Sequence, residues 1–252
     1  MKILFIHGWF HSSKIYQKLA DILDCKESLL VDLPGFGENK YEYDVENIEI
    51  EHIKYIQKIL RENNIDVAIA HSFGCRILLK SLENKDEFKN IKCILLNPVY
   101  GKNKYIKNLG NREKLVYPLI KNICEAPNYL TDLPVKIGCL FTINKWECID
   151  DVVLESVYKS DPRVATKILD IMATTEFYTD KSRVLNEIHM IYSTKDRAIC
   201  KECFKNLEKD LNPMVYVFEN SGHTLVLEDF NRLVNVIQEI LDINKKTDKN
   251  YV

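Results

Sequence analysis

The sequence predicts an α/β protein: a mostly parallel, doubly wound sheet of about six strands that carries one helical insertion. Three observations lead there. Short, near-continuously apolar runs recur along the 252 residues, each bounded by Gly, Pro, Asn or a charged cluster. Segments with apolar residues three and four apart fill the gaps between them. Finally, the runs do not alternate apolar with polar, so both faces of each strand are expected to be buried, as in a parallel sheet covered by helices on either side.

Taken in order, the strands are expected at 2–6, 28–32, 67–70, 91–96, 189–193 and 214–218. The stretch "SSKIYQKLADIL", with Ser12 or Ser13 as its cap, and the stretches "IEHIKYIQKIL" and "FNRLVNVIQEIL" read as helices between them. Residues 102–184 break the alternation. They are helical in pattern, most clearly in "DPRVATKILDIM", and fall between the fourth and fifth strands, where they read as an inserted lid. Residues 1–101 and 185–243 then form the core, and 244–252 a polar tail.

Composition narrows the function classes. A net charge of -2 gives no global attraction to nucleic acid or to a membrane surface. The start "MKILFIHGW" lacks the apolar core and cleavage site of a signal peptide. No run approaches the roughly 18 apolar residues of a membrane span. A cytoplasmic protein is expected, with its eight cysteines reduced.

Glycine placement separates sites from scaffold. Of only eight glycines, five (Gly8, Gly35, Gly37, Gly74 and Gly222) lie at or just after predicted strand ends, the edge at which open α/β sheets form their ligand crevice. There, "AHSFG" places Ser72 between a strand and a helix, with small residues two before and two after it. A serine on so tight a turn has its Oγ pushed out of the sheet top while the next helix presents free N–H groups. The alternative is a serine that merely caps the helix.

A serine hydroxyl becomes a nucleophile only when a histidine takes its proton and an acid orients that histidine. The strand in "HMIYSTKD" ends at Asp196, and "YVFENSGHT" ends at His223. The competing readings are a helix cap for Asp196 and a loop histidine for His223. The other strand end that could hold the acid carries Asn97. The oxyanion donors are expected to be the main-chain N–H groups of Phe73 and of Trp9, with Phe10 as the alternative to Trp9, and Trp9 and Phe10 are expected to wall the acyl pocket. His7 reads as a structural residue of the turn.

These motifs resemble the α/β-hydrolases, in the small, lid-bearing esterase group. "HGW" at 7–9, "DLPGFG" at 32–37, "AHSFG", "STKD" at 193–196 and "SGH" at 221–223 stand in that family's order. "HGW" with "VDLPGFG" is most similar to the carboxylesterases of biotin synthesis, which cleave the methyl ester of pimeloyl carrier protein. The resemblance implies a cytoplasmic serine carboxylesterase without metal or cofactor, lacking the family's first two strands, with Ser72, Asp196 and His223 as its triad. Ala70 replaces the first glycine of the serine motif, and Cys75 stands where a second glycine is common. Thioester hydrolysis on carrier protein or coenzyme A, a lyase similar to that of the menaquinone pathway, and a non-catalytic binding protein are the alternatives.

Lid charge bears on the substrate. Lys102, Lys104, Lys107, Arg112, Lys114 and Lys121 face a single Glu113 between residues 101 and 122. Arg112, Lys114 and Lys121 would steer an acidic acyl carrier protein, or form an ordinary solvated face. "CKEC" at 200–203 has metal-ligand spacing but no matching second pair, so no metal is expected.

Overall fold

The computed structural model describes residues 1–23, 27–39, 42–106, 113–125, 128–140 and 143–243. The predicted tail, 244–252, lies outside them. Strand β1 (Ile3–Ile6), helix α1 (Gln17–Ile22), β2 (Leu29–Val31), α2 (Ile48–Glu62), β3 (Val67–His71), α3 (Phe73–Leu82) and β4 (Lys92–Leu96) alternate as the apolar pattern predicts. Helices α4 (Glu113–Glu125), α5 (Asn128–Cys139), α6 (Asp151–Tyr158) and α7 (Pro162–Thr174) then intervene. The alternation resumes with β5 (Ile188–Ser193), α8 (Lys201–Leu211), β6 (Met214–Phe218), α9 (Leu225–Glu228) and α10 (Phe230–Ile240).

Among the described residues all five strand pairings are parallel, in the order β2-β1-β3-β4-β5-β6. The register sets Ile6 beside Ala70, His71 beside Leu96, Leu96 beside Ile191 and Ser193 beside Phe218. Every strand therefore ends at one edge, and the residues that follow each strand meet there.

Side-chain alternation divides the core into two layers. Leu4, Ile6, Ala68, Ala70, Cys93 and Leu95 pack with α2, α3, α7 and α8, whereas Ile3, Phe5, Val67, Ile69, Ile94 and Leu96 pack with α1 and α10. Each fully buried Leu, Ile or Phe side chain among them contributes about 1.5–3 kcal/mol. Helix α7 is part of the larger layer, through Val164, Ala165, Ile168, Leu169 and Met172. A smaller cluster (Val135, Ile143, Ile149, Val153, Leu154 and Val157) holds α5 and α6 together.

A buried ion pair ties the C-terminal end of α7 to the core. Arg76 of α3, 1% exposed, donates through Nε to Glu49 of α2 at 2.6 Å and through its two terminal nitrogens to the Thr175 carbonyl and hydroxyl. Lys80 donates to the other Glu49 oxygen at 2.8 Å. Burial pushes the Glu49 carboxyl up, but Arg76 and Lys80 together bring it below the usual carboxylate range.

Candidate active site

Ser72 lies between β3 and α3 with φ 54° and ψ -119°, a conformation that costs a non-glycine residue about 1–3 kcal/mol. The surroundings hold it there. Its N–H donates to the Leu96 carbonyl at 2.9 Å, and its own carbonyl accepts from Cys75 and Val99. A Cβ on Gly74 would fall 2.5 Å from the His7 carbonyl oxygen, and one on Gly8 would fall 3.0 Å from the Ser72 Cβ. Glycine at 74 is what lets the first turn of α3 sit on the end of β1, and glycine at 8 lets the turn after β1 lie against the serine without crowding.

Asp196 and His223 come from neighbouring strand ends. The Nδ1–H of His223 donates to Asp196 Oδ2 at 2.7 Å, and both side chains are buried. Asp196 Oδ1 accepts the N–H groups of Ala198 and Ile199 at 2.7 and 2.8 Å. Its two oxygens thus divide the two sequence readings: one braces the turn that leads to α8, the other holds the imidazole. With Nδ1 donating, Nε2 of the neutral ring is the basic nitrogen.

Phe73 opens α3 and Trp9 follows Gly8, and among the described residues neither main-chain N–H donates a hydrogen bond. Both belong to turns that adjoin Ser72. The Trp9 indole N–H donates to the Ala165 carbonyl of α7 at 2.8 Å, and its ring packs on Phe10 at 4.3 Å. Phe10, at φ 57°, bridges the larger core layer and the α5–α6 cluster. These two aromatics join the sheet edge to the inserted helices.

Three supporting residues were not singled out by motif. His71 donates through Nε2 to the His223 carbonyl at 3.0 Å, and the Asn97 amide donates to the same oxygen at 2.6 Å. Asn97 Oδ1 also accepts the Ser193 N–H at 2.7 Å, so the strand end considered for the acid carries instead an amide that joins β4, β5 and the histidine loop. Glu228 accepts from that loop on its other side, through the N–H groups of Gly222 and Thr224. A strand-final Asn97 was a visible signal; nothing marks Glu228.

Other histidines surround the site in uncharged form. His7 donates from Nδ1 to the Gly8 carbonyl and accepts the Leu33 N–H at Nε2, which satisfies both nitrogens structurally. Burial pushes His7 down, His71 well down, His11 to about 3 and His52 to about 4. The His71 ring lies 4.7 Å from that of His223 and 5.5 Å from that of His11.

Of the three basic residues predicted to dock a carrier protein, Arg112 and the Lys114 side chain fall outside the described residues. Lys121 is exposed on α4, 3.8 Å from Glu125. Cys200 and Cys203 are buried free thiols with sulfurs 3.3 Å apart. Among the described residues no group of three or more His, Cys, Asp or Glu side chains is arranged to hold a metal, and no helix is long and apolar enough to cross a membrane. A polar cavity of about 430 Å³ opens between Gly35, Tyr43, Tyr117, Tyr158 and the 159–163 turn.

A sequence model of the alpha/beta hydrolase family matches residues 3–236. Among solved structures, the esterase RhEst1 from Rhodococcus sp. ECU1013 superposes with a TM-score of 0.74 at 14% identity, covering 96% of this chain and 90% of that one. MenH from S. aureus gives a TM-score of 0.74 at 17% identity, with 96% and 93% covered. An epoxide hydrolase from Bacillus megaterium, solved in complex with an inhibitor, gives 0.71 at 15% identity, with 96% and 93% covered. At these identities the likeness concerns the fold. No curated protein matches the sequence.

Proposed function

Because the chain belongs to the alpha/beta hydrolase family, we propose that it is a serine hydrolase cleaving carboxylic esters, with Ser72 as nucleophile, His223 as general base and Asp196 as the orienting acid. The observation that carries this reading is the 2.7 Å bond from His223 Nδ1 to Asp196, at the sheet edge where Ser72 occupies its strained turn.

In this mechanism His223 Nε2 takes the hydroxyl proton as Ser72 Oγ bonds to the ester carbonyl carbon. The N–H groups of Trp9 and Phe73 hold the resulting oxyanion. When the carbon–oxygen bond to the leaving group breaks, the proton passes from His223 to the departing alcohol. Water then gives a proton to His223 and attacks the acyl-enzyme, and that proton returns to Ser72 as the acid leaves. Asp196 stabilises the imidazolium in both halves.

Residues 102–184 act as the lid over this edge, and Trp9 and Phe10 line the acyl pocket. The substrate we propose is an ester on an acyl arm, the methyl ester of pimeloyl carrier protein. Support comes from the resemblance of "HGW" and "VDLPGFG" and from the basic character of residues 102–121, which suits an acidic carrier. Two experiments test the reading. A fluorophosphonate should label the native protein at Ser72 and leave Ser72→Ala and His223→Ala unlabelled; a native protein that resists labelling would contradict it. The intact mass of methyl-pimeloyl carrier protein should fall by one methylene after incubation. Loss of the whole arm would instead identify a thioesterase.

A further inference from the structure

On the serine-hydrolase reading, we infer that Glu228 is a positioning residue that fixes the backbone around His223 and fastens it to residues 143–148 of the insertion.

Glu228 is 4% exposed, and its carboxylate is surrounded by main-chain donors. Oε2 accepts the N–H of Gly222 and the N–H of Asn144, each at 3.0 Å, and Oε1 accepts the N–H of Thr224 at 3.3 Å. Two of these donors flank the catalytic histidine directly, and the third belongs to the insertion. The junction is strengthened from the insertion side. Lys145 Nζ donates to the Glu228 carbonyl at 2.7 Å, the Cys148 thiol to the Leu227 carbonyl at 3.2 Å, and the Asn144 amide to the carbonyl of Lys195, the residue before Asp196. Asn144 therefore touches both loops that carry the charge-relay pair.

Opposite Glu228, His71 and Asn97 donate to the His223 carbonyl. The peptide groups around His223 are thus held by donors on one side and by a carboxylate on the other. A neutral amide at position 228 cannot reproduce this, because one of its two terminal atoms is a donor and would face an N–H. Burial pushes the Glu228 carboxyl up, against the pull of those N–H groups and of His223, so the anion depends on this cradle as much as the cradle depends on it.

The test is Glu228→Gln, with Glu219→Gln as surface control, read by two independent probes. The first is the low-field proton resonance of the His223 Nδ1–H bonded to Asp196, which needs no substrate. The second is hydrolysis of p-nitrophenyl butyrate. The Gln variant is expected to lose or broaden the resonance and to show kcat lowered by about 10²-fold with KM within twofold, while the control matches native protein in both. An unchanged resonance, or an unchanged kcat, would overturn the inference while leaving the serine-hydrolase reading intact. Failure of native protein to take a fluorophosphonate at Ser72 would overturn that reading and the inference with it. If Glu228→Gln loses its cooperative melt, Lys145→Ala carries the same readouts, with a fall in kcat of about threefold expected; no change would overturn the inference.

Discussion

In the proposed mechanism a single strained residue sets the terms of catalysis. At φ 54° and ψ -119° Ser72 would be more comfortable as glycine. Ser72→Gly is therefore expected to raise stability by about 1 kcal/mol, the relieved strain less the added backbone entropy of the unfolded chain. A denaturant midpoint checks the gain, and complete loss of fluorophosphonate labelling should accompany it. Asp196→Asn should preserve the fold and lower kcat by about 10³–10⁴-fold, because the amide can favour the wrong tautomer of His223; steady-state kinetics with a melting curve would show both. The strand-end positions of Ser72, Asp196 and His223, and the bond between the last two, were legible because the proposed chemistry requires those side-chain types at strand ends. His71, Asn97 and Glu228 act through main-chain carbonyls and N–H groups. Any of several polar residues can do that, so no motif advertises them.

Among the elements, the strands were the most legible, since three to five apolar residues between turn signals leave little room for a shift in register. The inserted helices were less so. Helix α4 runs through Pro118, which local rules would place at a helix boundary, and the pattern of α7 shows an apolar face without showing that this face joins the main core. The polar anchor at the end of α7 was not visible at all, because Arg76, Glu49 and Thr175 are far apart in sequence. Glu49→Gln should destabilise the protein by about 3–5 kcal/mol, the effect of leaving a buried guanidinium without its anion. Urea unfolding would measure it, and a change under 1 kcal/mol would show that Thr175 alone suffices.

Burial of histidines gives the whole molecule a pH response. His7, His11, His52 and His71 are held below their ordinary value of 6.5, so the unfolded chain binds protons that the folded one refuses. Stability is fully present above about pH 6.5 and is lost as pH falls towards the folded values. A group held far below this window contributes up to about 1 kcal/mol per pH unit within it, and the contributions of the four act in the same direction. Urea midpoints at pH 7, 6 and 5 should fall steeply. A flat profile would mean that these imidazoles keep access to protons in the native state.

The parallel sheet has a further consequence, for synthesis. Strand β4 pairs with β5, yet the ribosome must add about 90 residues after Leu96 before β5 exists, which takes roughly 5–20 s at common elongation rates. During that interval the nascent sheet ends at β4, whose peptide groups on one side have no strand to bond. Neighbouring chains on the same messenger would meet a ready template for pairing.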